Sequence, residues 1–227
     1  EADYNLQLVR RIGVRSGSRR ILTRISVQEA ARARIETWLA AGSLGMLDQP
    51  LIVVHPGMRG SALNWPENHY IELVAGLARD ARRVVVSAGP DEAELLWRVR
   101  DQLGTLAEKV GFFLSARQTG LADMAALLEK SKIVVAPSTG PLHLAVALGK
   151  SVVTFYPPIR VQSALRWGPY VIDDAKAEVL VPEVYCGEDY RCRGALCNYF
   201  PCMKTLTVVE ARERIERLLS NLGKDTQ

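Results

Sequence analysis

The stretch Ser138-Thr139-Gly140-Pro141-Leu142-His143 has the residue types of an anion site. Small residues make a turn after an apolar run, and proline suits the first position of a helix. A helix starting there presents backbone N–H groups that lack intrahelical partners. Those groups and the helix dipole together favour a phosphate. Gly140 lets a diphosphate come close to the backbone. His143 falls within the first turn, where the dipole disfavours its protonated form, so a neutral imidazole could donate one hydrogen bond to a phosphate oxygen. A plainer arrangement uses the same residues, with Ser138 or Thr139 as a simple N-cap and His143 packed under the sheet.

Other side chains could also do chemistry. Cys186, Cys192, Cys197 and Cys202 fall within 17 positions, with five, four and four residues between them. This is wider than the Cys-x2-Cys pairs of many zinc sites, and three readings stay open: free thiols, a zinc or iron site, or disulfides formed on oxidation. Asp173-Asp174 is an acidic pair in a loop, which reads as two solvated carboxylates rather than a metal-binding Asp-x-Asp. Trp65 stands at a helix start and reads as packing. Tyr156-Pro157-Pro158 follows a strand and is expected to line a sugar pocket.

Positioning these groups requires elements that the apolar pattern locates. Leu51–Val54, Val84–Val86, Gly111–Leu114, Ile133–Val135 and Val152–Phe155 are short β-branched or aromatic runs, too uniformly apolar to have a solvated face. Amphipathic helices alternate with them, carrying the stripes Tyr70, Leu73, Val74, Leu77 and Leu121, Met124, Ala125, Leu128. Strands alternating with helices in this way make an α/β fold, a Rossmann-like doubly wound parallel sheet. Ligands of such sheets sit beyond the carboxyl ends of the strands, so the loops at 55–61, 87–92 and 136–140 should face one crevice. Ser26-Val27-Gln28-Glu29 and Thr207-Val208-Val209-Glu210 read as capping boxes that open the first and last amphipathic helices. Three regions follow: a linker and helix over residues 1–48, the sheet domain over 49–180, and a cysteine-containing loop with a final helix over 181–227.

Three segments in combination resemble glycosyltransferase family 9, the heptosyltransferases. The first is Ala136-Pro137-Ser138-Thr139-Gly140-Pro141-Leu142-His143 with the Ala-rich helix and Val152-Val153 strand that follow it. The second is Val54-His55-Pro56-Gly57 with Asn64-Trp65-Pro66-Glu67-Asn68-His69-Tyr70, and the third is Gly89-Pro90-Asp91-Glu92. The likeness runs roughly from Glu1 to Leu219. It implies the C-terminal, nucleotide-sugar-binding half of a GT-B glycosyltransferase, inverting and independent of metal and cofactor. It also implies a donor site of Gly57, Met58, Ser61, Glu92, Ser138, Thr139, Gly140 and His143. In that site Thr139, Gly140 and His143 hold the diphosphate, Glu92 holds the ribose hydroxyls, and the Gly57-Met58 loop closes over the phosphates. The implied donor is ADP-heptose and the implied acceptor is the lipopolysaccharide inner core, bound by an N-terminal domain that also supplies the catalytic base. The setting is cytoplasmic, peripheral to the inner membrane. The opening Glu-Ala-Asp-Tyr, without methionine, fits a fragment that lacks that domain.

Two positions depart from the family pattern. Many members carry a basic residue just before the Trp-Pro pair, where this chain has Leu63-Asn64, and Arg59 is the nearby candidate to replace it. Ser138 stands where many heptosyltransferases have aspartate.

The bulk numbers agree with an ordinary globular domain: 227 residues, 48% hydrophobic, 24% charged, and a net charge of +4 from 29 basic and 25 acidic side chains. So mild an excess suits phosphates or an anionic membrane face, and without aromatic-basic interleaving it gives no ground for a nucleic-acid partner. No Gly-x-Gly-x-x-Gly follows the first strand, which argues against a dehydrogenase. Two rivals remain. One is a GT-B transferase or epimerase that uses a UDP-sugar. The other is a non-catalytic metal-binding or assembly module built on the cysteines.

Overall fold

In the computed structural model, residues 2–14, 23–42, 44, 49–60, 62–171, 176–186 and 190–222 are described. Among them the chain forms strands β1 (Leu51–Val54), β2 (Arg83–Ala88), β3 (Val110–Leu114), β4 (Ile133–Val135), β5 (Ser151–Phe155) and β6 (Ala177–Leu180). Its helices are α1 (Ala2–Arg11), α2 (Glu29–Ala41), α3 (Glu67–Arg79), α4 (Ala93–Leu103), α5 (Gly120–Lys130), α6 (Gly140–Ala147), α7 (Ala164–Trp167) and α8 (Val208–Leu222).

Every ladder is parallel, and the sheet order is β3-β2-β1-β4-β5-β6. The chain winds outward from β1 to β3, then returns to the other side of β1, so the order reverses between β1 and β4. This is the doubly wound Rossmann arrangement, whose crevice opens at that reversal.

Alternation along the strands divides the core into two layers. Ile52, Val54, Val84, Val86, Val153 and Phe155 face α3, α4 and α8. Leu51, Val53, Val85, Val134 and Val152 face α2, α5 and α6. Apolar burial at roughly 25 cal/mol per Å2 on both faces explains why these strands tolerate no polar side. The expected α3 stripe is buried in full: Tyr70, Leu73, Val74 and Leu77. Trp65 packs at the head of α3, stacked on Phe155 at 4.2 Å, and its indole N–H donates to the Leu206 carbonyl at 2.8 Å.

Several local expectations are corrected. β6 is a sixth strand that the apolar pattern did not reveal; its Glu178 accepts from Arg214 and Arg217 of α8 instead of entering the core. Leu121 leaves the α5 stripe and is 72% exposed, whereas Met124, Ala125 and Leu128 are buried. The Thr207–Glu210 capping box forms, with reciprocal hydrogen bonds at 2.7 and 3.2 Å. The Ser26–Glu29 box does not form, because α2 begins at Glu29 with Gln28 as an uncapped N-cap. The Glu29 carboxylate pairs with Arg32 at 3.1 Å instead.

Candidate functional site

A cleft of about 1200 Å3 opens beyond the carboxyl ends of the strands. The segments after β1, β2, β3 and β4 line it, and Val161, Gln162, Arg166 and Trp167, carried between β5 and β6, complete the wall. Gly57, Met58, Glu92, Ser138, Thr139, Gly140 and His143 all face this one space. Ser61 and the pair Asp173-Asp174 lie outside the described residues.

The β4–α6 turn brings a helix start to the floor of the cleft. No side chain caps α6, because Thr139 turns its hydroxyl to the Pro137 carbonyl at 3.2 Å. Pro141 occupies the first turn. The first-turn amides of Gly140 and Leu142 have no partner within a helix that starts there. Helices α2, α3, α4, α5 and α7 also start without a side-chain cap, and the start of α6 is one that faces the cleft. The His143 ring is solvent-reachable, yet the protein around it lowers its pKa by desolvation, which favours the neutral imidazole.

Glu92 sits across the cleft, just before α4. Its carboxylate accepts from the Gly89 N–H at 2.9 Å. It also lies so close to Gly57 that a Cβ there would displace it. Glu92 is therefore fixed to its own loop by the Gly89 amide and places its carboxylate beside Gly57 of the loop after β1.

The Arg59 guanidinium donates to Asp91 at 3.0 Å, and Arg117 pairs with the other oxygen of the same carboxylate. Both arginines are exposed and line the cleft, so Asp91 holds two cations at its mouth. The basic position absent from the sequence before Trp65 has a different use here. Asn64 donates to the Pro56 carbonyl at 2.8 Å and accepts from the Tyr70 hydroxyl at 3.0 Å, fastening the β1 loop to α3.

Three further features add to the sequence reading. His55, directly after β1, is buried and lines the cleft, with Nδ1 3.1 Å from the Ser87 hydroxyl; burial holds its pKa down to about 4. Ser115, Ala116 and Arg117 bring in a β3 loop that no motif singled out. Tyr156 is corrected: it is fully buried, does not line the cleft, and donates its hydroxyl to the Trp167 carbonyl at 2.5 Å. Tyr156 thus holds the Trp167 segment in place from beneath.

The cysteines lie away from this cleft, around a small separate cavity. All four are thiols, none in a disulfide. The Cys202 thiol is pushed up, first by burial and then by the three other sulfurs nearby.

The fold and cleft together define a doubly wound α/β domain with an uncapped helix start and an opposing carboxylate at its switch point. The sequence model for glycosyltransferase family 9 (heptosyltransferase) matches residues 16–191, and the chain belongs to that family. A Haemophilus influenzae protein provisionally named a glycosyltransferase is 35% identical over 119 residues, which is 52% of this chain and 33% of that protein. Lipopolysaccharide heptosyltransferase 2 of Salmonella typhimurium is 31% identical over 116 residues, 49% of this chain and 32% of that enzyme. The solved structure of the Escherichia coli ADP-heptose lipopolysaccharide heptosyltransferase II shares the fold with a TM-score of 0.67 at 23% identity, over 88% of this chain and 54% of that one. The match thus spans about a third of the curated relatives' length. Among the described residues no helix is long and apolar enough to cross a membrane.

Proposed function

We propose that this chain is the nucleotide-sugar half of an inverting, metal-independent glycosyltransferase that moves heptose from ADP-heptose to the lipopolysaccharide inner core. Residues 49–180 form its donor domain, between a linker region at 1–48 and a cysteine-bearing region at 181–227. The enzyme works at the cytoplasmic face of the inner membrane as a peripheral protein.

The observation that carries this reading is the pairing of the uncapped α6 start with Glu92 across one cleft at the β1/β4 reversal. The diphosphate rests on the amides of Gly140 and Leu142, with Thr139 and Ser138 beside it and the neutral His143 ring donating to a phosphate oxygen. Glu92 accepts from the ribose hydroxyls, and Gly57 and Met58 cover the phosphates. Arg59 and Arg117 add positive charge at the mouth.

An acceptor hydroxyl oxygen bonds to the anomeric carbon from the face opposite the nucleotide. As it does, the bond from that carbon to the β-phosphate oxygen breaks, and its electron pair leaves with ADP. The acceptor proton passes to a base outside the cleft residues, in the acceptor-binding part of the enzyme. Fixed amides, an imidazole and guanidinium groups stabilise the charge that develops on the leaving diphosphate, which is the work a metal ion does elsewhere. The named relatives support the sugar and acceptor: one is a lipopolysaccharide heptosyltransferase, and the solved structure is of an enzyme described by ADP-heptose.

Calorimetry on His143→Ala tests the arrangement. ADP binding should weaken by roughly 1.5–3 kcal/mol, the range for a hydrogen bond to a charged group. Unchanged affinity in a folded variant removes His143 from the diphosphate site.

A further inference from the structure

We propose that a cationic pocket at the amino ends of β4, β5 and β6 is a second ligand site, which takes a phosphate group carried by a free metabolite or by a lipid headgroup. It lies at the opposite end of the sheet from the cleft and does not depend on the donor reading.

The first ground is where the lysines stand. Lys132, Lys150 and Lys176 directly precede β4, β5 and β6 in turn, and these three strands are neighbours in the sheet. Continuing the register back by one residue sets Lys132 against Lys150 and Lys176 against Ser151. Neighbouring strands run about 4.8 Å apart. Three like charges therefore head adjacent strands, an arrangement that repels. A polyvalent anion among them turns that repulsion into attraction.

A second ground is the cavity at this rim. It measures about 510 Å3, within the range of small-molecule sites. Lys150, Lys176 and Arg24 line it, together with Tyr170 and an apolar wall that includes Leu148. Its one carboxylate among the described residues, Glu129, is already engaged, because Arg32 of α2 donates to both oxygens at 2.7 and 2.8 Å. Arg24, Lys132 and Lys176 enter no ion pair among the described residues. Lys150 is half-buried, and its ammonium donates to the Glu129 carbonyl. Burial lowers its pKa and Lys132 adds to the lowering; Glu129 opposes it, and Lys176 and Lys130 again add to it.

Helix ends explain only part of this charge. A cation near a helix C-terminus is favourable, which accounts for Lys130 in the last turn of α5 and for Lys150 on an α5 carbonyl. Arg24 precedes α2 and Lys176 precedes β6, so neither serves a helix end in that way. A phosphate in the pocket would accept charge-assisted hydrogen bonds from Lys150, Lys176 and Arg24. The apolar wall suits the group that carries it.

The test uses the whole 227-residue chain, isotope-labelled for backbone amide spectra. It is titrated with inorganic phosphate and pyrophosphate, then sedimented with phosphatidylcholine vesicles that contain or lack phosphatidylglycerol. A free phosphate source should give saturable shifts at Gly149, Lys150, Ser151, Lys176 and Ala177. A headgroup source should give capture by the phosphatidylglycerol vesicles alone. Lys150→Gln combined with Lys176→Gln should weaken whichever binding is seen by about tenfold or more, the worth of a hydrogen bond to a charged group. Lys176→Gln alone, which breaks no hydrogen bond to the protein, should weaken it in the same direction. Lys109→Gln combined with Lys204→Gln removes equal charge from exposed positions elsewhere and should change little. Binding of neither probe overturns the proposal, as do phosphate shifts confined to the cleft amides of Gly140 and His143. Equal losses in the two paired variants overturn it too.

Discussion

Glu92 stands where the loop after β2 meets the loop after β1. Its carboxylate is pinned by the Gly89 amide and kept in place by the absence of a side chain at Gly57. Glu92→Gln keeps an acceptor for the Gly89 amide and should leave the thermal midpoint nearly unmoved. Nucleoside affinity should fall while affinity for inorganic pyrophosphate persists, and equal losses for the two contradict the ribose role. His55 makes a second prediction at this scale. Its pKa is about 4 in the folded chain against an ordinary 6.5, because burial penalises the charged ring. The folded value is the lower one, so the associated stability is complete above pH 6.5 and is lost as the pH falls toward 4. The loss should approach roughly 3 kcal/mol, at about 1.36 kcal/mol for each pH unit that separates the folded and unfolded pKa values. Urea unfolding at pH 7 and pH 4.5 measures it. The wild type should lose about 2–3 kcal/mol more than His55→Asn between the two, and equal losses would show that His55 takes no part.

At the scale of elements, the cleft depends on how the loop after β1 is moored. Asn64 binds the Pro56 carbonyl on one side and the Tyr70 hydroxyl of α3 on the other. Asn64→Ala leaves both partly buried groups without this partner and should cost about 1–3 kcal/mol in chemical denaturation. ADP affinity should also drop, because the loop bearing Gly57 loosens; a variant as stable as wild type would contradict the mooring. The same scale shows which elements sequence patterns can reveal. β1, β2, β4 and β5 are legible because they are buried almost throughout, so their residues are nearly all apolar; β3, the other edge strand and only partly buried, is legible from its two phenylalanines. β6 is hidden because an edge strand has one solvated side, and its Glu178 looks like loop composition until α8 is seen to supply the arginines. The turn before α6 is legible because Gly and Pro carry its geometry in their covalent structure. Arg117 is not, since nothing local separates a cleft arginine from a solvated one. Tyr156 misleads for the opposite reason: a residue just past a strand end reads as exposed, but here the α5 and α6 layer continues over it.

For the molecule as a whole, the order β3-β2-β1-β4-β5-β6 determines where a ligand can go. The loops leaving β1 and β4 diverge to opposite faces of the sheet, which opens the crevice between them. Around it the chain places an uncapped helix start on one side, a fixed carboxylate on the other, and arginines at the rim. In the proposed reading the helix start takes the diphosphate and the carboxylate takes the ribose, the two halves of a nucleoside diphosphate. This is the central claim, and calorimetric titration of the chain with ADP, UDP and GDP, without added metal, tests it most directly. The account predicts one site per chain that binds ADP and prefers it over the other two. A preference for UDP or GDP, or no binding of any of the three, would contradict it.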